Sequence, residues 1–202
     1  MADYPDILKR EHLTNEERKC ICNQLMTTES HMERLILKHF TDEDFRKVWE
    51  RKIGGGVIGG KACGLLVARK LIEGNMPQYS GHIEPHNSFF IGTDVFYRYL
   101  VLNRCAELKA RHTLEKEHFK ETEELTNRLR KGMIPDDIHK ELADMLDHYG
   151  TTPIIVRSSS IMEDGYGNAF SGKYESIFCM NQGTKKERLE ELEDAIRRVY
   201  AS

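Results

Sequence analysis

The chain has 202 residues, enough for one ordinary domain or one domain with an appendage. A hydrophobic fraction of 39% beside 31% charged residues describes a globular protein with many solvated helical faces, and a net charge of −3 gives no electrostatic footprint for nucleic acid. No run approaches the ~18 apolar residues of a membrane span, and the opening MADYPDILKREH lacks the apolar core of a secretion signal, so the cytoplasm is the expected location.

Residues 14 to 40 have helical spacing of apolar positions (Ile21, Leu25, Met32, Leu35, Ile36, Phe40) and a polar gap at Thr27 to Ser30 where the helix can break. Thr14 or Asn15 can cap its start, with Glu16 and Glu17 favoured by the dipole. Thr41-Asp42-Glu43-Asp44 is a second start signal, close to a capping box, and leads into Phe45, Val48 and Trp49. This front section offers no convergent polar cluster. It reads as a helical hairpin used for packing, or for an oligomer contact, rather than for chemistry.

Gly54 to Gly64 contains six glycines and precedes a helix with Leu65, Ala68, Leu71 and Ile72 predicted on one face. Pro77 to Phe90 is irregular, with a short strand at Ser88 to Ile91. Thr93 opens a helix expected to bury Val95, Phe96, Tyr99, Leu102 and Ala106. Residues 107 to 131 are charged and helical, with Glu124 and Arg128 one turn apart, and Gly132 ends that helix. Pro135 opens the next one, whose Ile138, Leu142, Met145, Leu146 and Tyr149 share a face. A last helix starts at Thr184, lined by Leu189, Leu192, Ile196 and Val199, with Glu193–Arg197 and Asp194–Arg198 pairs on its other face. Strands and helices interleave, so the fold class is α/β or α+β.

The five cysteines are odd in number and scattered, which fits reduced thiols. Cys20 and Cys22 lack the spacing of a zinc knuckle, and His82 and His86 flank Pro85, so no structural metal is expected.

Chemistry concentrates between Pro153 and Met180. Ile154-Ile155-Val156 reads as a buried strand delivering Arg157, followed by three serines, the Glu163-Asp164 pair, a loop with Gly165, Gly167 and Gly172, and a second strand from Tyr174. An arginine at a strand end beside a glycine-rich loop suits polyphosphate, since Arg supplies charge-assisted donors and glycines admit close backbone approach. An ion pair of Arg157 with Glu163 or Asp164 is the competing reading. No G-x-S-x-G surrounds Ser158 to Ser160, which argues against a serine nucleophile. Lys61, after Gly59-Gly60 at a helix start, is a second candidate phosphate ligand, with free helix-start N–H groups expected beside it. Gly55 to Lys61 matches a Walker A pattern in letters only. Ala62 lacks the hydroxyl that holds magnesium, and the residues before the loop are helical in pattern.

Three blocks carry a family resemblance. "VRSSSIMEDGYGNAFSGKYESIF" resembles the VRSS…FAGQ-x-E-T-F segment of the N-terminal ATP-grasp domain of phosphoenolpyruvate synthase and pyruvate phosphate dikinase. "IGGKACGLLVARKLIEG" resembles that family's GGK-x-x-x-L-x-x-L opening, and "IEPHNSFFIGTDVFYRYL" its VPPGFxITxxAYxxFL. Residues 1 to about 50 have no counterpart. The resemblance implies an N-terminal portion of an ATP-grasp domain over 53–202, preceded by a helical extension over 1–52. It implies ATP bound by Lys61, Arg157, Gly172 and Ser176, with Lys173, which stands where the family has Gln, and Glu163 and Asp164 as further candidates.

In that family ATP phosphorylates a histidine on a mobile domain, releasing AMP and phosphate, and an acceptor, pyruvate for phosphoenolpyruvate synthase, then takes the phosphoryl group. Antibiotic and glucan acceptors occur in related dikinases. The second ATP-grasp half, with most Mg2+ ligands, and the phosphohistidine and pyruvate-binding domains are implied as further parts of the same polypeptide. The 202-residue chain alone is expected to be inactive, with no complete catalytic set. A non-catalytic nucleotide-binding or regulatory module is the alternative from another class.

Overall fold

The structure, a computed structural model, describes residues 4–84, 86–114, 119–160, 164–165, 168–169 and 174–202. The chain divides into two units, Met1–Thr93 with Ser159–Phe170, and Asp94–Ser158 with Ser171–Ser202.

The first unit opens with α1 (Tyr4–Leu8) and α2 (Asn15–Ile21). Thr14 and Glu17 close a reciprocal capping box at the start of α2, worth about 1 kcal/mol. α2 runs directly into a π-helical turn (Cys22–Met26), and the chain then breaks at Thr27 to Glu29, within the polar gap. α3 (Ser30–His39) and α4 (Asp42–Glu50) follow, the latter capped by Thr41 and Asp44 in a second capping box. Ile21, Leu25, Met26, Ile36 and Phe45 are fully buried in one core with Ile58 and Cys63, so the front helices share their apolar interior with the segment behind them.

β1 (Lys52–Ile53) leads through the glycine loop to α5 (Gly60–Asn75) and a 3-10 turn (Pro77–His82). The chain returns as β2 (Phe90–Ile91), parallel to β1 with Lys52 opposite Phe90 and Ile53 opposite Ile91. α5 buries Cys63, Leu66 and Val67 and leaves Leu65 and Ala68 exposed. Of the predicted face, Leu71 does pack against the core, while Leu65 and Ala68 do not, because apolar residues occur on every side of this helix. The i, i+3, i+4 set that meets the core starts at Cys63.

The second unit begins with α6 (Thr93–Leu102, counting its first residue from the preceding unit), α7 (Ala106–Leu114) and α8 (Phe119–Lys131). α6 buries Val95, Tyr99 and Leu100, while Leu102 is exposed. Arg104, at φ 53°, takes the left-handed conformation and ends the helical path, so Ala106 belongs to a new helix and not to the predicted face. α9 (Asp136–Tyr149) buries Ile138, Leu142, Met145 and Leu146, as its spacing predicted.

β3 (Ile154–Arg157) also belongs to the second unit, while β4 (Asp164–Gly165) and β5 (Asn168–Ala169) form a small antiparallel hairpin belonging to the first, with β4 beside α5. The sequence suggested only a glycine-rich loop there. β6 (Ser176–Cys179) pairs antiparallel with β3, and α10 (Lys185–Ala201), capped by Thr184 and Glu187, closes the chain. α10 packs against α8, α9, β3 and β6.

Two of its predicted features need correction. Glu193 is not on the solvated face but 7% exposed, held by Arg197 at 2.8 Å and His139 at 2.5 Å. Arg198 pairs with Glu175 at 3.6 Å rather than with Asp194, because Glu175 lies on the sheet side that α10 covers. The described residues thus form a helix-rich α/β protein with three two-stranded sheets. No helix among them is long and apolar enough to cross a membrane.

Candidate functional site

In the first unit, the glycine loop is fastened from both sides. The Ile58 N–H donates to Leu25 O (3.1 Å) and the Cys63 thiol to Met26 O (3.2 Å), so the π-helical turn supplies both acceptors. Val57 N–H donates to Thr93 Oγ1 (3.2 Å), and Thr93 N–H returns a bond to Val57 O (3.0 Å). Leu25 and Met26 end this helical path, and the last carbonyls of a helix have no partner within it, which leaves them open to such contacts.

At the end of the loop Gly59 has φ 85°, and a Cβ there would lie 1.9 Å from the Ser159 carbonyl oxygen. That oxygen accepts from Gly60 N–H at 3.2 Å, while Ser159 Oγ accepts from Ala62 N–H at 3.1 Å. Gly59 has no side chain to cap α5, and Ser159 does so from a distant part of the sequence. The helix-start donors expected to face an anion are therefore partly spent on Ser159. Lys61 lies between them, half-buried, in the first turn of α5. A two-residue strand does precede this loop, contrary to the helical pattern expected up to Lys52, but Ala62 still offers no hydroxyl for a P-loop metal.

In the second unit, β3 and β6 pair as Ile154 with Cys179, Ile155 with Phe178, Val156 with Ile177, and Arg157 with Ser176. Side chains alternate across the ladder. Ile154, Val156, Ile177 and Cys179 cluster with Ala195 and Val199 of α10. Ile155, Arg157, Ser176 and Phe178 project from the other face and are exposed. The predicted buried strand is thus buried on one face only, with Ile155 44% exposed, because a single helix layer covers this two-stranded sheet. Directly opposed residues have Cβ atoms about 5 Å apart, so the Arg157 guanidinium and the Ser176 hydroxyl can reach one ligand oxygen group together. Burial pushes the Cys179 thiol up to about 11, which keeps it protonated on the covered face and unsuited to act as a nucleophile.

Of the other candidates, Glu163, Gly172 and Lys173 lie outside the described residues, and Asp164 is described only as backbone of β4 opposite Ala169. The alternative ion pair of Arg157 with Glu163 or Asp164 lies there too. Among the described residues, no group of three His, Cys, Asp or Glu side chains converges to hold a metal. Lys61 belongs to the first unit, Arg157 and Ser176 to the second. Ser159, Thr93 and the Leu25 and Met26 carbonyls were missed in the sequence. Only the serine had a visible signal, its place in the run after Arg157.

No curated protein matches the chain, and no solved structure does. Residues 56–202 match the family described as the pyruvate phosphate dikinase AMP/ATP-binding domain, a stretch containing Lys61, the capping Ser159 and the Arg157–Ser176 pair. With more than half its length matched in this way, the chain belongs to the family of pyruvate phosphate dikinase AMP/ATP-binding domains.

Proposed function

We propose that the chain is the ATP-binding part of a phosphoenolpyruvate synthase-like dikinase, with residues 53–202 as the N-terminal portion of an ATP-grasp domain and 1–52 as a helical extension packed on it. Arg157 and Ser176 receive phosphate oxygens from one ladder end. By the family resemblance, Lys61 and Gly172 are further candidate ATP ligands. The parent enzyme moves one phosphoryl group from ATP to a histidine and then to pyruvate, while a water molecule takes up the other as inorganic phosphate and AMP is left.

The observation that carries this reading is the in-register opposition of Arg157 and Ser176 on an exposed sheet face in a chain of an AMP/ATP-binding family. Two residues 19 positions apart in sequence are brought level by the β3–β6 register, and both have the chemistry of phosphate ligands. Magnesium is proposed to arrive with the triphosphate. Its charge would offset that of the phosphates, and no step is assigned to it.

The test is product analysis with the whole polypeptide that carries this segment. AMP should appear from Mg-ATP, and Arg157→Ala should lower its formation by ~10²–10³ with folding retained. ADP as the sole product, or variant activity within about two-fold of wild type, would contradict the proposal.

A further inference from the structure

We propose that the exposed face of the β3–β6 ladder is also a nucleoside platform, with Phe178 stacking on the base, Ile155 beneath it, and the phosphates running toward Arg157 and Ser176. This rests on the ATP reading above and adds residues to it. Ile155 and Phe178 are cross-strand partners, 44% and 76% exposed, and Met180, 66% exposed, continues the apolar surface beyond Phe178. The opposite face of the same two strands is covered by α10.

The face changes character along the ladder. Here the next pair along the ladder is Arg157 with Ser176, a cation and a hydroxyl. The acid of this strand, Glu175, turns the other way to pair with Arg198. In a chain with 33 acidic residues, the face has no carboxylate among the described residues, so its charge suits an anion. Side chains two residues apart on one strand face are separated by about 7 Å, comparable to the reach from a nucleobase to its first phosphate. An apolar end carrying an aromatic ring and a cationic end at that separation match the two halves of a nucleotide. Both strands lie in one unit, so the platform is built within it.

The test compares Mg-ATP with inorganic tripolyphosphate, which has phosphates and no nucleoside, in equilibrium titrations of the whole polypeptide that carries this segment. Phe178→Ala should weaken ATP roughly ten-fold or more while leaving tripolyphosphate within about two-fold, and Phe178→Trp should keep ATP affinity. Arg157→Ala should weaken both ligands. Because the Phe178 ring is exposed, the thermal unfolding of Phe178→Ala should match wild type, which separates a lost contact from a lost fold.

The platform is overturned if Phe178→Ala weakens neither ligand, or both equally. It is also overturned if the substitution changes only self-association, which would mean that a second copy covers this face. Wild type binding tripolyphosphate as tightly as ATP would overturn the platform and leave the phosphate site standing. Wild type binding neither would overturn the ATP reading itself.

Discussion

Arg157 and Ser176 stand directly opposite each other as the last pair of the β3–β6 ladder, on the face that α10 does not cover. Each comes from a different segment of the chain, and the antiparallel register makes them neighbours. Arg157→Ala should weaken ATP binding by about 1.5–3 kcal/mol, the range for hydrogen bonds to charged groups, or roughly 10- to 150-fold. Ser176→Ala should cost less, about 1 kcal/mol. Both side chains are exposed, so melting temperatures should not change measurably. Titration of ATP into each variant checks the order; equal affinity in wild type and Arg157→Ala would remove the arginine from the site.

Gly59→Ala should destabilise the chain by roughly 1–3 kcal/mol or more, because the new Cβ meets the Ser159 carbonyl at 1.9 Å and the backbone sits at φ 85°. Ser159→Ala should cost about 1 kcal/mol, since it strips the acceptor from Ala62 N–H but keeps the carbonyl bond to Gly60. Denaturant unfolding of the two variants reads both numbers. A neutral Gly59→Ala would mean that the loop does not close on Ser159 as described.

The parts of this fold that follow from local chemistry were legible in the sequence. Helix starts near Thr14, Thr41 and Thr184 were readable as such, Thr41 alone as close to a capping box, and the structure closes a capping box at all three. The break after Met26 came from a polar run, and α9 from clean spacing of Ile138, Leu142, Met145 and Leu146. What failed depended on tertiary neighbours. The buried face of α5 is chosen by the core it meets, and Arg198 pairs with Glu175, an acid just before β6 that no helical spacing points to. Ile154-Ile155-Val156 looks like a buried strand in any context, since sequence alone does not count the layers that will cover a sheet. For the site, Arg157 was named from its place at a strand end beside glycines and Ser176 from the family resemblance, but their pairing required the register.

Acid should loosen the first unit through Asp44. Burial alone would raise its carboxyl, but the Lys70 ammonium at 2.7 Å and the Thr41 N–H and hydroxyl outweigh that and hold it below the ordinary 3.8. A depressed carboxylate contributes stability that is complete above its unfolded value and is lost as pH falls through the folded one. The stability difference between wild type and Asp44→Asn should therefore stay constant above about pH 5 and shrink below about pH 4. Unfolding free energies measured across that range check the sign; a difference that grew on acidification would contradict the assignment.

The thiols give an independent check on packing. Burial pushes Cys22 and Cys63 up to about 12, and Cys105 and Cys179 are buried as well. Cys20 is half-exposed. One thiol of the five should react promptly with Ellman's reagent in the folded chain, and the other four only after unfolding. Fast reaction of three or more would mean that the cores around them are open.

The central claim is that Arg157 and Ser176 hold the phosphates of one nucleotide, and amide resonance mapping of the isotope-labelled chain during Mg-ATP addition tests it most directly. The account predicts saturable shifts in two sequence-distant stretches together, Arg157–Ser158 and Ser176, fitting one dissociation constant. Shifts confined to one stretch, or two unrelated dissociation constants, would contradict it.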